Sequence, residues 1–177
     1  MIIAAVLTTG LVAAAVGWLT QPDRFTVGFA PEQPIPFSHK VHAGDMEISC
    51  LYCHSQARNS RHAGIPPTET CMKCHRVTKT DSPDIKTLTR RFADNTPIFW
   101  KRVHSLPDHV FFDHRPHVNG GIACQTCHGA VETMDVVAQR MSLRMASCLA
   151  CHRDPHNALP PDSPISQGAE HCYACHR

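Results

Sequence analysis

The apolar residues of this chain are concentrated at its start. Ile2 to Leu19 reads IIAAVLTTGLVAAAVGWL, 18 residues without a charge. Wound as a helix at 1.5 Å per residue, the run is about 27 Å long, enough to cross a bilayer core. Trp18 stands at its end, where an interfacial aromatic is expected, and Gln21-Pro22-Asp23-Arg24 closes it. A cleaved signal peptide would have a shorter apolar stretch and a basic leading segment. Ala13-Ala14-Ala15 resembles a cleavage site, but no Lys or Arg precedes the run. The pattern therefore predicts an uncleaved membrane anchor over 1–20. Beyond it, one segment keeps helical periodicity. Ser82-Pro83-Asp84 supplies an N-cap, a proline at the first helical position and an acid in the first turn. Ile85, Leu88 and Phe92 follow at helical spacing. This predicts a helix over 83–93, ended near Asn95 and Pro97. Pro66-Pro67 and Pro160-Pro161 mark loops, and no run alternates as a strand would.

Only 6% of the residues are aromatic, and 14 are proline, so an ordinary apolar core is not expected. The cysteines change the picture. All ten fall into five copies of Cys-x-x-Cys-His: Cys50, Cys53 and His54; Cys71, Cys74 and His75; Cys124, Cys127 and His128; Cys148, Cys151 and His152; Cys172, Cys175 and His176. This is the attachment pattern of c-type haem, in which two thiols bond the porphyrin and the adjacent histidine binds the iron. Zinc is the rival, because the gaps from Cys53 to Cys71 and from Cys127 to Cys148 fit a zinc ribbon. The histidines decide. With 14 His in 177 residues, a histidine after all five pairs arises by chance on the order of a few times in a million, whereas haem attachment requires it. Zinc sites and disulfide frameworks do not.

Five motifs predict five covalently bound haems c. About 30 residues then remain per haem, too few for five separate helical pockets. The predicted fold is mostly irregular, with short α-helices wrapped around a stack of five c-type haems, plus one N-terminal transmembrane helix. Helical turns are expected over 69–75 and 146–152, to hold both thiols and the histidine on one side. The net charge of +2 gives no argument for nucleic-acid binding, since haem propionates would move it to about −3 oxidised and −8 reduced. Haem attachment also predicts that the body lies on the periplasmic, outer side of the inner membrane.

The chain repeats itself. Phe37-Ser38-His39-Lys40-Val41-His42 precedes the first two motifs, and Phe112-Asp113-His114-Arg115-Pro116-His117 precedes the next two. The expected organisation is an anchor over 1–20, a linker over 21–36 and a pentahaem domain over 37–177. Within that domain, modules 37–80 and 112–155 flank an intervening segment 81–111, and 156–177 extends to the fifth site. Nine histidines lie outside the motifs. His39, His42, His114 and His117 are the expected distal ligands, because histidines three apart share a helical face and can reach two adjacent irons. His104, between the apolar-basic run 98–103 and Leu106-Pro107, is the expected fifth. His62, His109, His156 and His171 are not expected to ligate. Met145, three residues before Cys148, is the alternative thioether ligand, although a methionine at helical spacing is more often packing.

The segment Ala30-Pro31-Glu32-Gln33-Pro34-Ile35-Pro36-Phe37-Ser38-His39-Lys40-Val41-His42-Ala43-Gly44, the run Gly64-Ile65-Pro66-Pro67-Thr68-Glu69-Thr70-Cys71-Met72-Lys73-Cys74-His75 and the stretch Trp100-Lys101-Arg102-Val103-His104-Ser105-Leu106-Pro107 resemble the pentahaem cytochrome c subunit of alternative complex III. More distantly, the chain is similar to the small multihaem class III-type cytochromes. The resemblance implies a non-catalytic relay. It would take electrons from an iron-sulfur, molybdopterin-like subunit of a quinol-oxidising complex with polytopic quinol-binding membrane subunits. It would pass them to a monohaem cytochrome c or another soluble acceptor. Two other functions compete. A catalytic multihaem reductase needs an open iron position, and enough histidines are present to close all five. A free-standing quinol dehydrogenase, or a donor to a periplasmic reductase, would also have one anchor and several haems.

Overall fold

The computed structural model describes residues 2–21 and 23–176. Helix α1 (Ile2–Leu19) matches the apolar run residue for residue, and none of its side chains is buried. It is the one helix among the described residues long and apolar enough to cross a membrane, by length and composition. Two hydroxyls bond back to its backbone: that of Thr8 donates to Ala4 O at 3.0 Å and that of Thr20, just past the last turn, to Val16 O at 2.8 Å. A single turn follows, α2 (Asp23–Thr26), with the Arg24 guanidinium 3.4 Å above the Trp18 ring.

The segment after α2 is pinned along its length. The Asp23 carboxylate accepts from Ser142 Oγ at 2.6 Å and pairs with Arg144 at 2.7 Å. Gly28 N donates to Gln139 O (2.7 Å), and Gln139 N returns to Phe29 O (3.0 Å). Gly28 turns there with φ +89°, a conformation natural only to glycine. Gln33 exchanges two hydrogen bonds with the Lys101 backbone, at 3.0 and 2.9 Å. Lys40 N donates to Met134 O at 3.0 Å. The expected linker is thus a strap bonded to the body.

The body is built from short helices: a π-helical turn (Lys40–Asp45), then α3 (Cys50–Cys53), α4 (Thr68–His75), α5 (Pro83–Ala93), α6 (His114–Asn119), α7 (Cys124–His128), α8 (Met145–Arg153) and α9 (Cys172–Cys175). Helix α5 has the bounds the periodicity predicts. Capping explains several starts. Ser49 accepts from Leu51 N ahead of α3, and Asp113 accepts from Arg115 N ahead of α6. No strand occurs among the described residues, only an isolated antiparallel bridge between Val110 and His176. The apolar core is small. Ile35, Met72 and Leu88 are buried together, with Cys71, Ile85, Phe92, Ile98 and Trp100 packed around them. This cluster holds α4 against α5 and fixes the second Cys-x-x-Cys-His motif. The other four motifs sit outside it.

Candidate metal centres

Each motif occupies a helical turn, α3, α4, α7, α8 or α9, with its two cysteines on the helix and its histidine in the last turn or just beyond. Successive thiols three apart then share a face. All ten cysteines are free. Burial pushes the thiols of Cys53, Cys71, Cys124, Cys127 and Cys148 above their ordinary range, and neighbouring thiols push in the same direction. These sulfurs are protonated at neutral pH.

Four motif histidines each face a second histidine at nearly one distance. Ring centres are 6.1 Å apart for His75 and His42, 6.4 Å for His128 and His114, 6.0 Å for His152 and His117, and 5.7 Å for His176 and His109. Two metal–nitrogen bonds of about 2.0 Å, with about 1.1 Å from each nitrogen to its ring centre, span about 6 Å. The separations fit one six-coordinate iron between each pair. The remaining motif histidine, His54 of the first motif, has His39 as its electrostatic neighbour. Burial, then His54, then His42 lower the pKa of His39 to about 4. His128 is lowered to about 4 as well, by burial and then by His104, His114 and His54. Burial also lowers His117, although its bond to the Asp113 backbone opposes the shift. Neutral imidazoles are the form that ligates a metal.

Hydrogen bonds set the tautomers. Nδ1 lies within hydrogen-bond reach of a backbone carbonyl in His42 (Ser38 O, 2.8 Å), His54 (Gly64 O, 2.6 Å), His75 (Thr78 O, 3.1 Å), His114 (Arg61 O, 2.8 Å), His117 (Asp113 O, 2.8 Å), His152 (Ala169 O, 2.6 Å) and His176 (His109 O, 3.3 Å). A carbonyl can only accept, so Nδ1 carries the proton and Nε2 keeps the lone pair. The repeat is visible in three dimensions. The Phe37 ring lies 4.8 Å from His39 and 4.4 Å from His42. Phe112 lies 4.8 Å from His114 and 4.6 Å from His117. One phenylalanine thus braces two histidines in each module, each contact of this kind adding about 0.5–1.5 kcal/mol.

His104 and His109 stand differently from the sequence expectation. The His104 ring is 4.4 Å from His128 in an edge-on contact, too close for a metal between them, and its buried Nε2 has no hydrogen-bond partner. Burial lowers its pKa. His109, which the sequence reading set aside, faces His176. The cause is backbone pairing: the Val110–His176 bridge and the 2.6 Å bond from Phe111 N to Cys175 O fold residues 109–111 onto α9. The only signal in the sequence was arithmetic, four paired histidines for five motifs. His62, His156 and His171 are exposed. Met145 is 64% exposed, and its neighbouring motif histidine, His152, already faces His117. A zinc site needs four converging donors, and among the described residues no group of three or more His, Cys, Asp or Glu side chains converges.

A glycine makes room for one motif histidine. A Cβ on Gly168 would lie 2.5 Å from His152 Cγ and 2.8 Å from its Cδ2. Gly168 N also donates to His152 O at 2.7 Å.

Comparison with known proteins agrees with this architecture. The model of the class III cytochrome C family matches residues 18–98, and that of cytochrome c7 and related cytochrome c matches residues 110–177. The boundary between the matches falls between the two modules. The chain is also similar to the multiheme cytochrome c subunit of menaquinone reductase from Nitratidesulfovibrio vulgaris, at 28% identity over 98% of this chain and 90% of the relative.

Proposed function

We propose that this chain, a multihaem c-type cytochrome, is the membrane-anchored electron relay of a quinone-linked respiratory complex, carrying five bis-histidine haems. The observation that supports it best is the common spacing of the opposed imidazoles, 5.7–6.4 Å in four pairs. A site with a histidine on each side leaves no open position for a substrate, which favours transfer over catalysis. The pairs proposed are His39 with His54, His42 with His75, His114 with His128, His117 with His152 and His109 with His176. When bound, each haem iron supplies a one-electron couple.

The residues do the rest. Ten thiols would fix the groups covalently, and backbone carbonyls hold the tautomer and direction of seven of the ten rings. Phe37 and Phe112 keep two rings apiece from rotating. The low proton affinity of His39 and His128 keeps their nitrogens available at neutral pH. Helix α1 would seat the body on the outer face of the inner membrane, where c-type haems are attached. The partners proposed are an iron-sulfur, molybdopterin-like subunit, polytopic quinol-binding subunits, and a monohaem cytochrome c or other soluble acceptor. The sequence resemblance points to an alternative complex III-like arrangement that oxidises quinol. The relative's name, menaquinone reductase, favours a second reading in which electrons run toward the quinone; a relay with no substrate site serves either direction.

The pyridine haemochrome assay should return five haems c per chain, and the reduced protein should take up almost no carbon monoxide. Four haems, or one carbon monoxide bound per haem, would refute the scheme. Proteins that leave the membrane in detergent with this chain identify the complex, and quinol oxidation against quinone reduction by that complex separates the two directions.

A further inference from the structure

The order of the motifs along the chain is not their order in space. The first and second sites are joined at one element, since the π-helical turn carries His42 and is capped at its start by His39. The thiols of Cys53 and Cys71 are also electrostatic neighbours. The third and fourth are joined in the same way by α6, which carries His114 and His117, and Cys127 neighbours Cys148 and Cys151. Of the links between the modules, the one at the attachment sites runs from the first site to the third. Arg61 O accepts from both N (3.2 Å) and Nδ1 (2.8 Å) of His114. Arg58 exchanges hydrogen bonds with Asn119 at 3.3 and 3.1 Å. Cys50 and Cys124 are electrostatic neighbours across this seam. The fourth site borders the fifth: His152 Nδ1 is bonded to Ala169 O at 2.6 Å, Arg153 pairs with Glu170 at 2.8 Å, and Cys148 neighbours Cys175.

We infer that the five sites form one unbranched chain in the order second, first, third, fourth, fifth, so that the motifs at 71–75 and 172–176 are its two ends. This rests on the five-haem reading above and adds the path. An electron leaving one site for the next oxidises the first as it reduces the second, and nothing else is consumed. Donor and acceptor must therefore dock at the ends, one beside α4 and α5 and the other beside α9. The first site, despite its place in the sequence, is internal, and losing it cuts the second site off from the other three.

The test compares two variants of the full holoprotein in a redox titration followed by electron paramagnetic resonance. Each ferric centre raises the potential of its spatial neighbours by its charge. Emptying the first site, Cys50→Ala with Cys53→Ala, should shift the midpoint potentials of two of the four remaining haems. Emptying the second, Cys71→Ala with Cys74→Ala, should shift one. The reverse pattern, or equal numbers, overturns the order. Should either variant fail to fold, iron positions in the unmodified protein decide by electron cryomicroscopy. The first–third separation should then be shorter than the second–third, and the opposite overturns the inference. A wrong order with five haems counted leaves the relay reading intact; fewer than five haems removes both.

Discussion

Replacing His109 is the sharpest probe of the pairing. Its ring lies 5.7 Å from that of His176, at 14° between planes, whereas the ring of His104 lies 4.4 Å from that of His128, at 81°. Only the first separation leaves space for an iron with a bond of about 2.0 Å on each side. His109→Ala removes one axial nitrogen of ten, and an alanine methyl cannot reach across the gap. One site in five should lose its second strong-field ligand, so about one fifth of the ferric haem should turn high-spin. The reduced variant should then bind about one carbon monoxide per chain. His104→Ala should leave all five sites low-spin and remove only an edge contact of about 0.5–1.5 kcal/mol. The assay is the high-spin resonance integrated against total haem, with carbon monoxide difference spectra as the second readout. High-spin haem in His104→Ala together with a fully low-spin His109→Ala would refute the geometric argument and restore His104 as the ligand.

Two further outcomes follow from the same contacts. Gly168→Ala places a methyl against His152 Cγ and Cδ2 at 2.5 and 2.8 Å. Overpacking of this kind costs about 1–3 kcal/mol, and each kcal/mol lowers the melting temperature by about 2–4 °C at this size. Gly10→Ala, where a methyl meets nothing within 4 Å, is the control, and equal melting of the two variants would contradict the packing. The pH dependence has a definite sign. His39 and His128 take up a proton near 4 when folded and near 6.5 when unfolded. Between those values the unfolded chain binds more protons, so stability should fall as pH drops from 6.5 to 4 and stay flat with respect to these groups above 6.5. Iron ligation at the proposed sites would act in the same direction. Melting curves across pH 4 to 8 check this; a stability that rose on acidification would contradict it.

Local signals in this sequence were legible because their physics is local. The uncharged run at the start gives α1 with the expected ends, and Ser82-Pro83-Asp84 gives α5 from Pro83. The expected turns around the second and fourth motifs appear as α4 and α8. The Phe-x-His-x-x-His repeat placed four histidines where the structure opposes them to motif rings or, for His39, beside one. His109 was out of reach because its position depends on the pairing of residues 110 and 111 with α9, some 65 residues away. No periodicity encodes such a contact. His104 shows the complementary limit: a histidine beside apolar residues does pack near a motif, but its edge-on contact with the His128 ring is not encoded in spacing. The bonded course of residues 23–40 was equally hidden, since a Pro-rich polar stretch looks the same whether or not its backbone finds partners.

That strap has a mechanical consequence. A loose tether of its length would let the cytochrome wander over the bilayer and meet partners by searching. Here Asp23, at the very foot of the apolar helix, is clasped to Ser142 and Arg144, just ahead of α8 and the fourth site. In the proposed membrane-anchored relay, those bonds would hold the body close to the start of the strap. A partner exchanging electrons with it would then meet the haem sites at a restricted elevation.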